Sequence, residues 1–195
     1  NKTLEEVWRY RGAYPGLGSV LTAFGVELGN FVAKSLEDKI GDKDPWDYID
    51  DLFANPKNYL DKELQKSIST TLRETWKSIK KERKQYLRLL SRFNINIEQA
   101  KMLIDNTNRS KNDIVCTDLN IIKNPYLIYE LSRNSTYPVS IGIIDRGVYP
   151  PEIINNKYPL EKPSKIEGGN DKRRIRSLII SVLDTAGEEG HTLLP

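Results

Sequence analysis

Apolar residues along this chain recur every three or four positions and almost never alternate, a spacing that predicts helices rather than strands. Thr3-Leu4-Glu5-Glu6 has the hydroxyl cap and third-position Glu of a capping box, which predicts a first helix to about Arg11, where Gly12 and Pro15 stop it. After the Pro15-Gly16-Leu17-Gly18 turn, Val20, Leu21 and Phe24 resume the helical spacing, and Gly25 and Gly29 divide them from Phe31, Val32 and Leu36. Asp44-Pro45 sets a capping carboxylate before proline at the first helical position, starting a helix through Leu52 and Phe53 that Asn55-Pro56 ends. From Asp61 to about Phe93 there is neither Pro nor Gly, so the longest helix is expected there, bent once near its middle. Asn94 breaks it. Ile97, Ala100, Lys101, Leu103 and Ile104 mark the next helix, and Asn124-Pro125 opens another carrying Tyr126, Leu127, Tyr129 and Leu131.

Residues 134 to 170 change character, with Pro138, Pro150, Pro151, Pro159, Pro163 and the pair Gly168-Gly169. They read as a loop-rich connector holding one short helix near Ile141 to Asp145. A last helix starts from an Asn170 or Asp171 cap and runs to about Ala186, with Ile175, Leu178, Ile179, Val182, Leu183 and Ala186 on one face. The expected class is all-α, with a helical domain over 1–133 and the connector plus last helix over 134–195.

Composition narrows the function classes. The apolar and charged shares, 38% and 29%, are those of a folded globular chain rather than a disordered one. No apolar run approaches the roughly 18 residues that span a bilayer, so no membrane partner is expected. The one cysteine, Cys116, excludes an internal disulfide and fits a reducing cytoplasm; it reads as a small core residue. The one histidine, His191, excludes zinc sites built on His pairs and reads as a packing or capping residue. The chain opens on Asn1 and stops at Pro195 just past a helical pattern, from which we expect a longer parent protein.

Net charge is only +3, so the placement of the charges carries the information. Between Arg73 and Arg92 lie Arg73, Lys77, Lys80, Lys81, Arg83, Lys84, Arg88 and Arg92 against Glu74 and Glu82, a local charge of +6. On one straight helix all but one of these cations fall within an arc of roughly 120°, with Leu72, Trp76, Ile79, Tyr86, Leu87, Leu90 and Phe93 largely opposite. A stripe of one sign repels itself unless an anion is expected, which points to nucleic-acid backbone, with an acidic protein surface next; a solvated lysine-rich face is the plain alternative. Gly16 and Gly18 offer a second anion site, because a glycine hairpin can turn the N–H groups of the next helix outward; a tight turn using glycine for its conformation is the alternative. Arg173, Arg174 and Arg176 crowd the start of the last helix against its dipole, so carboxylates such as Asp171, or a phosphate, must compensate.

No Gly-x-x-x-x-Gly-Lys-Ser/Thr loop occurs, and no carboxylate cluster suits two metals. We therefore expect no catalytic residue, no metal and no cofactor in this chain.

Arg174-Ile175-Arg176-Ser177-Leu178, running on through Leu183 to Glu188-Glu189-Gly190-His191-Thr192-Leu193-Leu194-Pro195, resembles the segment that closes the amino-terminal helical region of RecD-like superfamily 1 DNA helicases, the exonuclease V alpha-subunit family. Lys123-Asn124-Pro125-Tyr126-Leu127-Ile128-Tyr129-Glu130 is similar to an Asn-Pro-Tyr-x-Leu helix start of the same family. Phe93-Asn94-Ile95 with Ala100 and Ile104 stands where the family has a helix-hairpin-helix, and Asn55-Pro56 with Tyr59-Leu60 sits where an Asn/Asp-Pro-x-x-Leu element precedes another. The resemblance covers roughly residues 45 to 195. It departs between Leu60 and Gln65, where no Gly-x-Gly occurs, and in the long insert from Tyr149 to Gly169. Ahead of that range, the Pro15-Gly16-Leu17-Gly18 turn is similar to a helix-hairpin-helix turn but carries Thr22 where alanine is usual.

The resemblance implies tandem helix-hairpin-helix units ahead of a motor that binds ATP and magnesium, in an ATP-dependent DNA helicase. This region would be non-catalytic and would touch DNA phosphates with little sequence specificity. The competing expectation is a helical protein-interaction module that docks a nuclease or replication partner, as other subunits of a helicase–nuclease complex would require. A stand-alone helix-hairpin-helix glycosylase would need a catalytic Lys or Asp before a Gly/Pro-rich loop, which the sequence lacks.

Overall fold

The structure, a computed structural model, describes residues 12–190. The expected helix at Thr3 to Arg11, His191 and the Thr192–Pro195 end of the last motif lie outside the described residues. Among the described residues every regular element is helical and none is a strand, so the fold is all-α. In chain order the helices are α1 (Leu17–Phe24), α2 (Gly29–Ile40), α3 (Trp46–Ala54), α4 (Lys62–Gln65), α5 (Thr70–Ser78), α6 (Lys81–Ser91) and α7 (Ile97–Ile104). There follow α8 (Asn106–Lys111), α9 (Asp118–Lys123), α10 (Leu127–Ser132), α11 (Ile141–Val148), α12 (Glu152–Lys157) and α13 (Lys172–Glu188), with a 3-10 turn at Pro56–Asn58.

Local signals set many of these boundaries. Gly25 ends α1 in the left-handed region (φ 113°), where glycine avoids the Cβ clash. The Asp44 carboxylate accepts from the Trp46 N–H at 2.8 Å and starts α3. Asn96 and Gln99 form a reciprocal capping box at α7, and Asp171 accepts from the Arg173 N–H at α13. These short helices enclose one continuous apolar core. Leu17 and Leu21 of α1, Leu52 and Phe53 of α3, Tyr86, Leu87 and Leu90 of α6 and Leu103 of α7 are all buried in it. Phe53 stacks on Trp76 with ring centroids 4.4 Å apart.

The long helix expected from Asp61 to Phe93 is not one element. It is α4, α5 and α6, broken without any Pro or Gly. Ser69 turns its hydroxyl onto the Leu72 N–H at 3.2 Å and caps α5, a local bond that competes with helix continuation. Ile79 and Lys80 are extended (ψ 143° and 151°), and the chain changes direction there. The break lets Trp76 reach Phe53 while Tyr86 drops into the core and donates its hydroxyl to the Leu103 carbonyl at 2.8 Å.

The connector is more ordered than its prolines suggest. Pro150-Pro151 lead into a second helix, α12, that the sequence pattern did not reveal. Val139, Ile144, Val148, Ile154, Leu160 and Ile166 join the same core as α1 to α10, so apolar packing runs across the division expected at residue 133. Cys116 packs at the edge of this core, and burial pushes its thiol up from the ordinary cysteine value.

Candidate nucleic-acid interface

The glycine turn is buried. Gly16 has φ −95°, its N–H donates to the Ser91 carbonyl at 2.9 Å, and a Cβ there would collide with the Phe93 carbonyl. A Cβ on Gly18 would run into Asn30, whose Cα would lie 2.7 Å away. Neither residue is in the left-handed region; among the described glycines, Gly12, Gly25, Gly41 and Gly190 are. The absent side chains let the turn seat against the end of α6 and the start of α2. Gly16 and Gly18 thus serve close packing, and the outward-facing phosphate nest expected of them is not formed.

The basic stripe divides in the same way, because the break at Ile79–Lys80 dissolves the single arc that a straight helix would give. Arg73 donates its Nε to the Phe53 carbonyl at 2.9 Å and its guanidinium also meets Ala54, so it satisfies the open end of α3. Lys84 pairs with Asp50 at 2.7 Å and lies 5.0 Å above the Trp76 ring. Arg88 reaches Asp44 at 3.0 Å and Glu161 at 3.1 Å while its Nε donates to the Tyr14 hydroxyl at 3.2 Å. Burial and the Asp44 carboxylate push the Tyr14 phenol up to about 12. Arg92 is 4% exposed; its Nε and one terminal nitrogen donate to the carbonyls of Gly147 (3.1 Å) and Tyr158 (2.9 Å). Outside the candidate set, Arg83 is bound to Asp118. Arg73, Lys84, Arg88 and Arg92 are therefore held by protein groups, which corrects their expected role as free phosphate contacts.

The arginines of the last helix are matched too. Arg173 holds Asp171 and donates to the carbonyls of Lys123, Pro163 and Lys165, tying the connector down. Arg174 forms a two-point pair with Asp145, 2.7 and 2.9 Å, and lies 5.2 Å over the Tyr149 ring. Arg176 reaches Glu130 at 3.2 Å, and Ser177 donates to the same carboxylate at 2.6 Å. Carboxylates thus balance the three arginines at the start of α13.

Lys77, Lys80 and Lys81 remain. All are exposed and, among the described residues, none forms an ion pair, although Glu74 and Glu82 are close in sequence. They lie at the α5–α6 corner, where Lys80 precedes α6 and the helix start has no side-chain cap. The positive end of the α6 dipole and three exposed lysines thus share one corner, an arrangement suited to a multiply charged anion.

The residues that sequence reasoning missed are the acids. Asp44, Asp50, Asp145, Glu130 and Glu161 lie 29 to 73 positions from the basic residues they hold, a separation no helical projection can register. Among the described residues no group of three or more His, Cys, Asp or Glu is placed to hold a metal ion. No helix of the described residues is long and apolar enough to cross a membrane. No protein-family model, curated protein or solved structure matches the chain.

Proposed function

We propose that this chain is a non-catalytic accessory region of a cytoplasmic, ATP-dependent RecD-like DNA helicase, and that it touches the DNA phosphate backbone at the α5–α6 corner. The observation that carries this reading is that Lys77, Lys80 and Lys81 stay exposed and unpaired at an uncapped helix start, while the other cations of the stretch are matched internally. The residues that resemble the helicase family, Arg174 to Pro195 and Lys123 to Glu130, supply the parent. ATP and magnesium belong, in this reading, to its motor. Ammonium groups reach phosphates as point charges and read no base edges, so the contact is indifferent to sequence.

A salt titration of DNA binding tests the reading. Each engaged lysine releases condensed counterions, so Lys77→Glu with Lys80→Glu and Lys81→Glu should weaken binding equally for all sequences. The slope of log affinity against log salt should fall by about 2–3 units. Equal affinity and equal slope in two folded proteins would refute the reading.

A further inference from the structure

Helix α13 turns most of its large apolar residues away from its own core. It sits on the protein through polar groups: Ser177 is fully buried with its hydroxyl on Glu130, the Arg174 guanidinium holds Asp145, and Asp184 accepts from the Tyr129 hydroxyl at 3.1 Å. The opposite face presents Ile175, Ile179, Val182 and Leu183 at 37%, 54%, 68% and 43% exposure. Steps of four and three residues from Ile175 through Ile179 to Val182 make a seam about one helix wide, the shape that a second helix fills with knobs and holes. One border of this seam is cationic. Lys172 and Arg176 follow each other one turn apart along it; Lys172 is exposed, and Arg176 is 69% exposed, with Glu130 on its inner side.

We infer that the outer face of α13 is a docking surface for an amphipathic helix of a partner protein, whose apolar seam meets Ile175, Ile179 and Val182 and whose adjoining edge presents carboxylates to Lys172 and Arg176. A second copy of this chain fits poorly. Side by side in parallel, Lys172 and Arg176 would face their own counterparts; antiparallel, the same border would set them against Leu183 and Gly187, which carry no charge. An anionic membrane also fits poorly, because the far end of the helix carries Glu188 and Glu189. The inference is independent of the phosphate contact at the α5–α6 corner, whose lysines take no part in it.

The test uses two fluorescent synthetic helices with the same leucine seam of about three heptads, one edged with Glu and the other with Lys. Fluorescence anisotropy should show the Glu-edged helix binding the whole chain at least about tenfold more tightly than the Lys-edged one. Ile179→Ser with Val182→Ser should weaken that binding at least about tenfold, with an unchanged thermal melt, since both side chains are exposed and the change is charge-neutral. Lys172→Glu should narrow the preference between the two helices. The inference falls if the Glu-edged helix does not bind, if both bind equally, or if the serine substitutions leave binding unchanged. It falls equally if they instead abolish retention by phosphatidylserine vesicles or dissolve a dimer seen by light scattering.

Discussion

The Asp145 carboxylate grips Arg174 at two points, Nε to Oδ1 at 2.7 Å and Nη2 to Oδ2 at 2.9 Å, and takes a third hydrogen bond from the Tyr126 hydroxyl at 2.7 Å. One side chain of α11 thereby fastens α13 and the chain segment just before α10. Two-point guanidinium–carboxylate bonds are the strong members of their class, and both side chains here are largely shielded, 21% and 23% exposed. Arg174→Ala should destabilise the protein by about 1–3 kcal/mol in urea unfolding, because Asp145 loses its main partner while remaining partly buried. A change below about half a kcal/mol would mean that α13 is held by its other contacts alone.

The same carboxylate sets a pH dependence. Burial works to raise the Asp145 value, but the bonds from Arg174 and Tyr126 outweigh it, and the group sits below the ordinary carboxylate range. A carboxyl whose folded value is depressed stabilises the fold fully above its unfolded value of about 4, and that contribution is lost as the pH falls through the lower folded value. Asp145→Asn cannot titrate. Its stability should therefore decline less steeply than wild type as pH drops below about 4, with the wild-type advantage greatest near neutrality. Parallel curves from pH 7 down to acid unfolding would show that Asp145 has no such linkage.

Two glycines should respond in opposite directions to alanine. At Gly16 the new Cβ meets backbone, the Phe93 carbonyl, which cannot swing aside, and the bond from the Gly16 N–H to Ser91 is strained as the turn is pushed off α6. Gly16→Ala should cost about 2–4 kcal/mol. Gly187, inside α13, meets nothing within 4 Å and needs no left-handed conformation. Gly187→Ala should stabilise by up to about 1 kcal/mol, through the smaller entropy loss of alanine in a helix. Thermal melts of the pair decide whether Gly16 is a packing residue: a neutral Gly16→Ala would return the turn to the surface.

Helix class and the caps at Asp44 and Asp171 were legible because they depend on neighbours in sequence. Asp44 before Pro45 and Asp171 before Lys172 each make their bond within two residues, whereas the Asn96–Gln99 box at α7 went unread. The break at Ile79–Lys80 was not legible, since no Pro or Gly marks it and the distant fit of Trp76 onto Phe53 accompanies it. Gly16-Leu17-Gly18 carried the right residues for a hairpin, yet the same glycines serve a solvent-facing nest and a buried seat equally well, and only the positions of Phe93 and Asn30 distinguish them. The cations could be read as a group but not sorted. Sorting Lys80 from Arg88 requires knowing that Asp44 and Glu161 arrive beside one and not the other.

Arg92 tests how far that sorting matters for stability. Its guanidinium is buried against the Tyr14 ring, 5.7 Å to the centroid, with the carbonyls of Gly147 and Tyr158 as acceptors and no ion pair to a carboxylate among the described residues. Burial lowers its affinity for the proton from the ordinary arginine value. Arg92→Ala leaves a void and two unsatisfied carbonyls, at a cost of about 3 kcal/mol or more. Arg92→Met restores the volume without the donors and should recover part of that loss. Equal stability of wild type and Arg92→Ala would show that water satisfies the carbonyls, and that Arg92 is free to turn outward.

The final prediction separates the stripe into its two kinds of cation within one experiment. Arg88→Ala should lower stability by about 1–3 kcal/mol, because Asp44, largely shielded at 16% exposure, then loses its guanidinium while Tyr14 remains beside it. Lys80→Glu and Lys81→Glu should each change stability by no more than about half a kcal/mol, since exposed, unpaired side chains add little to the fold. DNA binding should show the reverse ranking. The Lys80 and Lys81 variants should lose affinity and about one unit of salt slope each, because each removes one counterion-releasing contact. Arg88→Ala, measured where it is still folded, should bind DNA with the wild-type slope. Should Arg88→Ala reduce the slope as the lysine variants do, Arg88 must leave Asp44 and Glu161 for the phosphates, and the internal pairing seen here would describe only the unbound protein.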